Sequence, residues 1–180
     1  MPSNRGPAPV KLYRKDDAEV LTLGPITCYV FEDGSHTDNR VGAVLLMIPP
    51  GVSGPPMHWH RFHDELFFVT KGAEEKQVAD LIQVSPGDLM VVPPRAIHTF
   101  ENASKTEEAE LYMTATPGYY IDCESGTTKF MTVQVRKAKM TADFRMLAQG
   151  TEDDVKLDEA DQMYLMAQFG TFPPDIPSEP

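Results

Sequence analysis

The chain has 180 residues, 41% of them hydrophobic, and a formal net charge of −11 at neutral pH. That length suits one domain with an appendage, and the apolar share can fill a substantial core. The acidic balance argues against nucleic acid, whose phosphates call for a lysine- and arginine-rich face, and against an anionic membrane surface.

Residues 1–19 are polar and proline-containing and read as an arm, ordered where it docks. They lack the apolar segment of a secretory signal, and no run in the chain approaches the ~20 apolar residues of a membrane span. A soluble, cytoplasmic protein is therefore expected. Cys28 and Cys123 show no CxxC spacing and are expected to be two unpaired thiols.

Residues 20–31 favour strand through β-branched and aromatic content, broken at Gly24-Pro25. Residues 32–40 form a turn-rich loop containing His36, and residues 41–48 form a buried strand closed by Pro49-Pro50-Gly51. A glycine- and proline-rich loop, 51–56, leads into His58-Trp59-His60, and 64–69 reads as the next strand. Short strand candidates follow at 75–80 and 81–84, then a turn at Pro86-Gly87-Asp88 and a strand at 89–92. Residues 97–101 and 111–116 complete the strand set. Six to eight short strands at close spacing predict an all-β sandwich or barrel and not βαβ units. After Pro117-Gly118 come a candidate strand at 131–135, a short helix at 143–148 and a longer helix at 158–169. That longer helix has Asp158 as its N-cap and Gly170 as its stop, and the tail 173–180 is expected to be loose. The division expected is an arm at 1–19, a β-barrel domain at 20–140, and a helical extension with a proline-rich tail at 141–180.

Chemistry concentrates in the middle. Side chains two apart on a strand share a face, so His58 and His60 aim two imidazoles at one point with Trp59 turned away. Glu65 on the following strand and His98 further on supply a carboxylate and a third imidazole. Such a donor set suits a divalent transition metal. His36 and His63 fall at loop or strand-end positions, where no direct role is expected. Alternation from Glu65 turns Phe67 and Val69 inward, and alternation from His98 turns Phe100 inward. Met47 and Met113 are further candidates for the wall of a substrate pocket, although each of these five also reads as an ordinary core residue. Apolar, aromatic walls suit a flat organic substrate better than a small polyanion.

The stretch His58-x-His60-x4-Glu65-x6-Gly72 resembles the first motif of the cupin superfamily, and Gly87-x5-Pro93-x-Arg95-x2-His98-x3-Asn102 resembles the second. Arg95 stands where many cupins carry glycine, and the glycine expected to open the first motif is displaced to Gly51 or Gly54. The resemblance implies a double-stranded β-helix, a jelly-roll barrel. It also implies that His58, His60, Glu65 and His98 bind one divalent metal, with iron, nickel, manganese, copper, cobalt and zinc all admitted. Residues 55–60 and 65–72 are similar to single-domain quercetinase-like proteins. That likeness implies a dioxygenase using O2 to cleave a flavonol-like or polyketide-derived aromatic enol. Glu65 would be the catalytic group, either binding the metal or taking the hydroxyl proton. The alternatives are a non-redox isomerase, cyclase, dehydratase or decarboxylase on the same site, and a non-catalytic ligand-binding module. A homodimer is expected, since exposed strand edges need cover.

Overall fold

The computed structural model describes residues 9–72, 82–118 and 171–175. A six-stranded antiparallel sheet is built from β1 (Glu19–Leu23), β2 (Ile26–Glu32), β3 (Gly42–Ile48), β5 (Asp64–Lys71), β6 (Leu89–Val92) and β7 (Ala109–Thr116). Their order across the sheet is β1-β2-β3-β7-β5-β6. The short strand β4 (Trp59–His60) pairs instead with β8 (Thr171–Phe172). Opposite the large sheet, the chain from Val52 to His58 runs antiparallel to the segment from His98 to Asn102. It is joined there by bridges at Ser53–Glu101 and His58–His98 and by the bond from Gly54 N–H to Phe100 O. This is the all-β architecture expected from the strand pattern, in the jelly-roll form that the motif resemblance implies.

Alternation along each strand sorts the residues into an inner and an outer set. Cross-strand partners share a face, so the registers Val44–Met113–Phe67 and Cys28–Leu46–Leu111–Val69 mark rows of one packed interior. That core also takes in Ile26, Val30, Ile48 and Val92. A fully buried side chain of this kind contributes ~1.5–3 kcal/mol relative to an exposed one. One polar row interrupts the apolar face. Glu65 sits opposite Ala115 and Val92, and Ala115 sits opposite Gly42. Ala115 and Gly42 are too small to fill the space above Glu65, and the imidazoles of the opposite layer occupy it.

Several expectations need correction. Residues 82–84 are irregular and not strand, and the 97–101 segment contributes bridges instead of a continuous strand. Thr171 and Phe172, for which no strand is expected from the sequence, are paired with β4, and Thr171 is 1% exposed. The candidate strands at 75–80 and 131–135, both helices, Cys123 and residues 176–180 lie outside the described residues. Cys28 is a free, fully buried thiol, and burial pushes its pKa up to about 12.

The arm docks where a bulge in β2 breaks the alternation. Val30 pairs with Val44 but Glu32 pairs with Ala43, which puts the carboxylate on the outer side of the sheet. There Glu32 accepts hydrogen bonds from the Tyr13 hydroxyl and from the backbone N–H groups of Gly34 and His36. It thus ties the arm and the 33–40 loop to the strand.

Arg95 explains the glycine preference at its position. Its φ is +72°, in the left-handed region, and its N–H donates to His60 O at 2.7 Å. The backbone there is fixed by the histidine strand, so an L side chain is held in strain of ~1–2 kcal/mol. Arg95→Gly is expected to stabilise the fold by about 0.5–1 kcal/mol, once the greater freedom of glycine in the unfolded chain is subtracted. Denaturant unfolding measures this, and a destabilised variant would contradict it.

Candidate metal centre

The bridge between His58 and His98 is the scaffold of the site. His58 N–H donates to His98 O at 3.0 Å, and His98 N–H returns a bond to His58 O at 2.9 Å. Directly opposed residues of an antiparallel pair present side chains on one face, and here the two rings lie 4.3 Å apart. His60, two residues along, joins the same face at 4.8 Å from the His58 ring and 5.1 Å from the His98 ring. Trp59 turns away and stacks on Phe172.

Glu65 meets the imidazoles from the large sheet. Its Oε2 lies 2.9 Å from His98 Nε2 and 3.4 Å from His60 Nε2. One donor atom each from His58, His60, Glu65 and His98 falls within 4.8 Å of the others. The structure therefore brings together all four residues that the two motifs single out, from two β layers.

The donors fit a divalent cation by their tautomers as well as their spacing. A carbonyl oxygen only accepts, so His58 Nδ1 donates to Pro56 O at 2.8 Å and His98 Nδ1 donates to Ala96 O at 3.0 Å. His60 Nδ1 bonds the Thr171 hydroxyl at 2.9 Å. With Nδ1 committed outward, a neutral imidazole presents its Nε2 lone pair to the centre, the usual way an outer partner orients a metal-binding histidine. The 2.9 Å approach of His98 Nε2 to Glu65 Oε2 would set a lone pair against an anion. A positive charge between them, a proton or a metal ion, resolves that conflict.

Burial and neighbours pull these groups in different directions. Burial, reinforced by the neighbouring His98 and His60, lowers His58 to about 4, and burial also lowers His60. Burial pushes the Glu65 carboxyl up, but hydrogen bonds from His60, His63 and His98 overcome it and hold Glu65 well below the usual carboxylate range. For His98 burial acts downward, yet the bonds to Glu65 and to Ala96 O win and raise it.

A stability profile for the metal-free protein follows. Unfolded His58 takes up a proton below its ordinary 6.5, whereas the folded group waits until about 4. Between those values the unfolded state binds more protons, so stability falls with falling pH, by ~3 kcal/mol for this group alone. His60 acts in the same direction. The Glu65 contribution is present above the ordinary carboxylate value and is lost as pH falls below it. His98 opposes them, because its contribution is complete below 6.5 and fades as pH rises through its raised value. A thermal midpoint measured in chelator is expected to drop from pH 6.5 to 4. A flat profile would contradict a buried, neutral His58.

His63, for which no direct role is expected from its position, and Thr171, which no motif marks, also reach the centre. His63 is 4% exposed, its ring lies 4.0 Å from that of His60, and its Nε2 is 3.6 Å from Glu65 Oε1. The two-residue alternation from Glu65 back to His63 is a signal that could have found it. Thr171 lies 111 positions from His60, and no local pattern marks it.

Of the five wall candidates, Phe67, Val69 and Met113 sit in the buried core, with Phe100 packed against it. The Phe67 ring lies 6.2 Å from His98 and 6.0 Å from Phe100, so Phe67 borders the donors and Phe100 packs against Phe67. Close packing of Phe100 relies on Gly54, where a Cβ would meet the Phe100 ring at 2.6 Å. Met47 does not belong with them. Val44, Leu46 and Ile48 take the inner positions of β3, so Met47 faces outward, with its sulfur 3.5 Å from Lys15 Nζ. A cavity of about 590 Å³ lined by Lys11, Tyr13, Phe31, Glu32, His36 and Tyr112 lies at the docked arm and not at the four donors.

Residues 44–115 match the family model described as a cupin domain. No curated protein matches the chain. Solved structures similar to it include KdgF from Halomonas sp., at 23% identity and a TM-score of 0.49 over 59% of this chain and 94% of that one. An RmlC-like cupin from Shewanella frigidimarina NCIMB 400 is 21% identical, with a TM-score of 0.46 over 57% of this chain and 86% of that one. The polyketide cyclase RemF from Streptomyces resistomycificus is 16% identical, with a TM-score of 0.47 over 59% of this chain and 79% of that one.

Proposed function

Because residues 44–115 match the cupin domain model and the barrel gathers three imidazoles and a carboxylate, we propose that the chain is a metal-dependent enzyme of the cupin superfamily. Its substrate is a small enolic or phenolic compound, and Glu65 is the proton carrier. The observation that carries this reading is the split environment of the Glu65 carboxylate. Oε2 faces the donor cluster and Oε1 faces His63, so one oxygen can serve the centre while the other keeps a partner.

A bound divalent cation would supply Lewis acidity toward a substrate oxygen. His58, His60 and His98 would hold it, each fixed by its Nδ1 bond. Glu65 stays ionised at neutral pH and so can accept the proton of a substrate hydroxyl at Oε2. A base placed in this way contributes ~10²–10⁴-fold. Phe67, beside His98 and backed by Phe100, would limit water on that side of the centre and so strengthen the electrostatic interactions within it.

Cleavage of the resulting substrate anion by dioxygen is the reading carried by the quercetinase-like first motif. Isomerisation, cyclisation or dehydration is the second, favoured by a carboxylate set among imidazoles, which meets the needs of proton transfer alone. Oxygen uptake during turnover of flavonols and polyketide-derived enols separates them. Uptake in step with substrate loss supports the dioxygenase, and equal turnover without oxygen supports non-redox chemistry. Retained ligand affinity with no turnover of any enol would replace both with a binding module. The homodimer stands as a further proposal, which a monomer mass in light scattering would overturn.

A further inference from the structure

We propose that Thr171 is a positioning residue of the metal centre: its hydroxyl holds His60 by Nδ1 so that Nε2 faces the cation, and strand β8 is thereby part of the site. This rests on the metal-dependent reading above. The reasoning starts from how each imidazole is oriented. His58 and His98 find acceptors two residues upstream, at Pro56 O and Ala96 O. The equivalent acceptor for His60 would be His58 O, which accepts the His98 N–H at 2.9 Å, and His60 Nδ1 bonds the Thr171 hydroxyl instead. His58 and His98 are thus oriented by local carbonyls, and His60 by a side chain distant in sequence.

Thr171 sits directly opposite His60 in the β4–β8 pair, with its hydroxyl 2.9 Å from Nδ1. His60 is 2% exposed and Thr171 1%, so little solvent reaches this bond to stand in for it. Three neighbouring contacts hold β8 in register. Trp59 stacks on Phe172 with centroids 4.7 Å apart, and Trp59 Nε1 donates to Pro173 O at 3.1 Å. The Arg61 guanidinium lies 4.8 Å from the Phe172 ring centroid. A hydroxyl can accept or donate, so the cation selects the form in which Nδ1 carries the proton and Nε2 the lone pair.

The test compares full-length Thr171→Val and Thr171→Ser with the unaltered chain, using cobalt(II) alone as the probe. Calorimetry gives affinity, and the visible d–d bands of bound cobalt report coordination geometry. Thr171→Val keeps the branched shape without the acceptor and is expected to bind ~10–100-fold more weakly, with shifted bands. Thr171→Ser restores the hydroxyl and is expected to return both toward those of the unaltered chain. If Thr171→Val fails to fold by circular dichroism, Thr171→Ala against Thr171→Ser gives the same comparison. Matching affinity and bands in the hydroxyl-free variant overturn the role of Thr171 and leave the metal centre standing. An unaltered chain that binds no cobalt overturns the metal reading and this inference with it.

Discussion

Replacing His60 by alanine is expected to reduce divalent-cation affinity by more than the ~100-fold that loss of an outer partner can cost. It removes a donor outright. His60 is 2% exposed and pairs with Thr171 of β8, so the lost donor is a buried one. The substitution also frees Glu65 Oε2 from one of its two imidazole neighbours, leaving His98 at 2.9 Å. Titration of the metal-free protein with cobalt(II) or manganese(II), read by calorimetry, measures the loss. The fold itself is expected to survive, because the apolar interior of the large sheet does not depend on this ring. Affinity within a few-fold of the unaltered chain would show that the four-donor cluster is not where the cation binds.

Glu65→Gln is expected to cost ~10²–10⁴-fold in turnover, the range of a positioned general base. The amide keeps the shape of the side chain but loses the charge that His98 and His60 face, and it cannot accept a proton at neutral pH. Burial then acts on His98 without the carboxylate that raises it, so His98 becomes neutral more readily. Cation affinity is expected to weaken as well, since a carboxylate oxygen is the harder donor for a divalent ion. Measuring affinity and turnover on the same preparations separates the two effects. If Glu65 only binds the cation, saturating metal restores turnover. If it carries the proton, turnover stays low in the fully loaded variant. Unchanged turnover would remove Glu65 from the chemistry altogether.

Much of the site is legible in the sequence because its donors obey short-range rules. His58 and His60 share a face through the two-residue alternation of a strand, and the same alternation places Glu65 on the interior row with Phe67 and Val69. Arg95 is likewise readable as a departure at a position where glycine is common, and its φ of +72° supplies the reason. Met47 shows the limit of this approach. Its apolar character suggests a wall, but only the parity of β3 against β7 decides that it faces Lys15 and Glu110.

By itself, then, the sequence determined the six strands of the large sheet, their inward alternation and the identity of the four donors, because backbone period and motif spacing act over a few residues. Tertiary structure alone decided how the donors are oriented. His58 and His98 are oriented by carbonyls two residues upstream, whereas His60 is oriented by a threonine 111 positions away. The buried approach of His63 to Glu65 Oε1 was also settled at that level. Hydrogen-bond saturation in a buried site depends on which backbone groups the fold has already occupied, and that information exists only once distant strands have met.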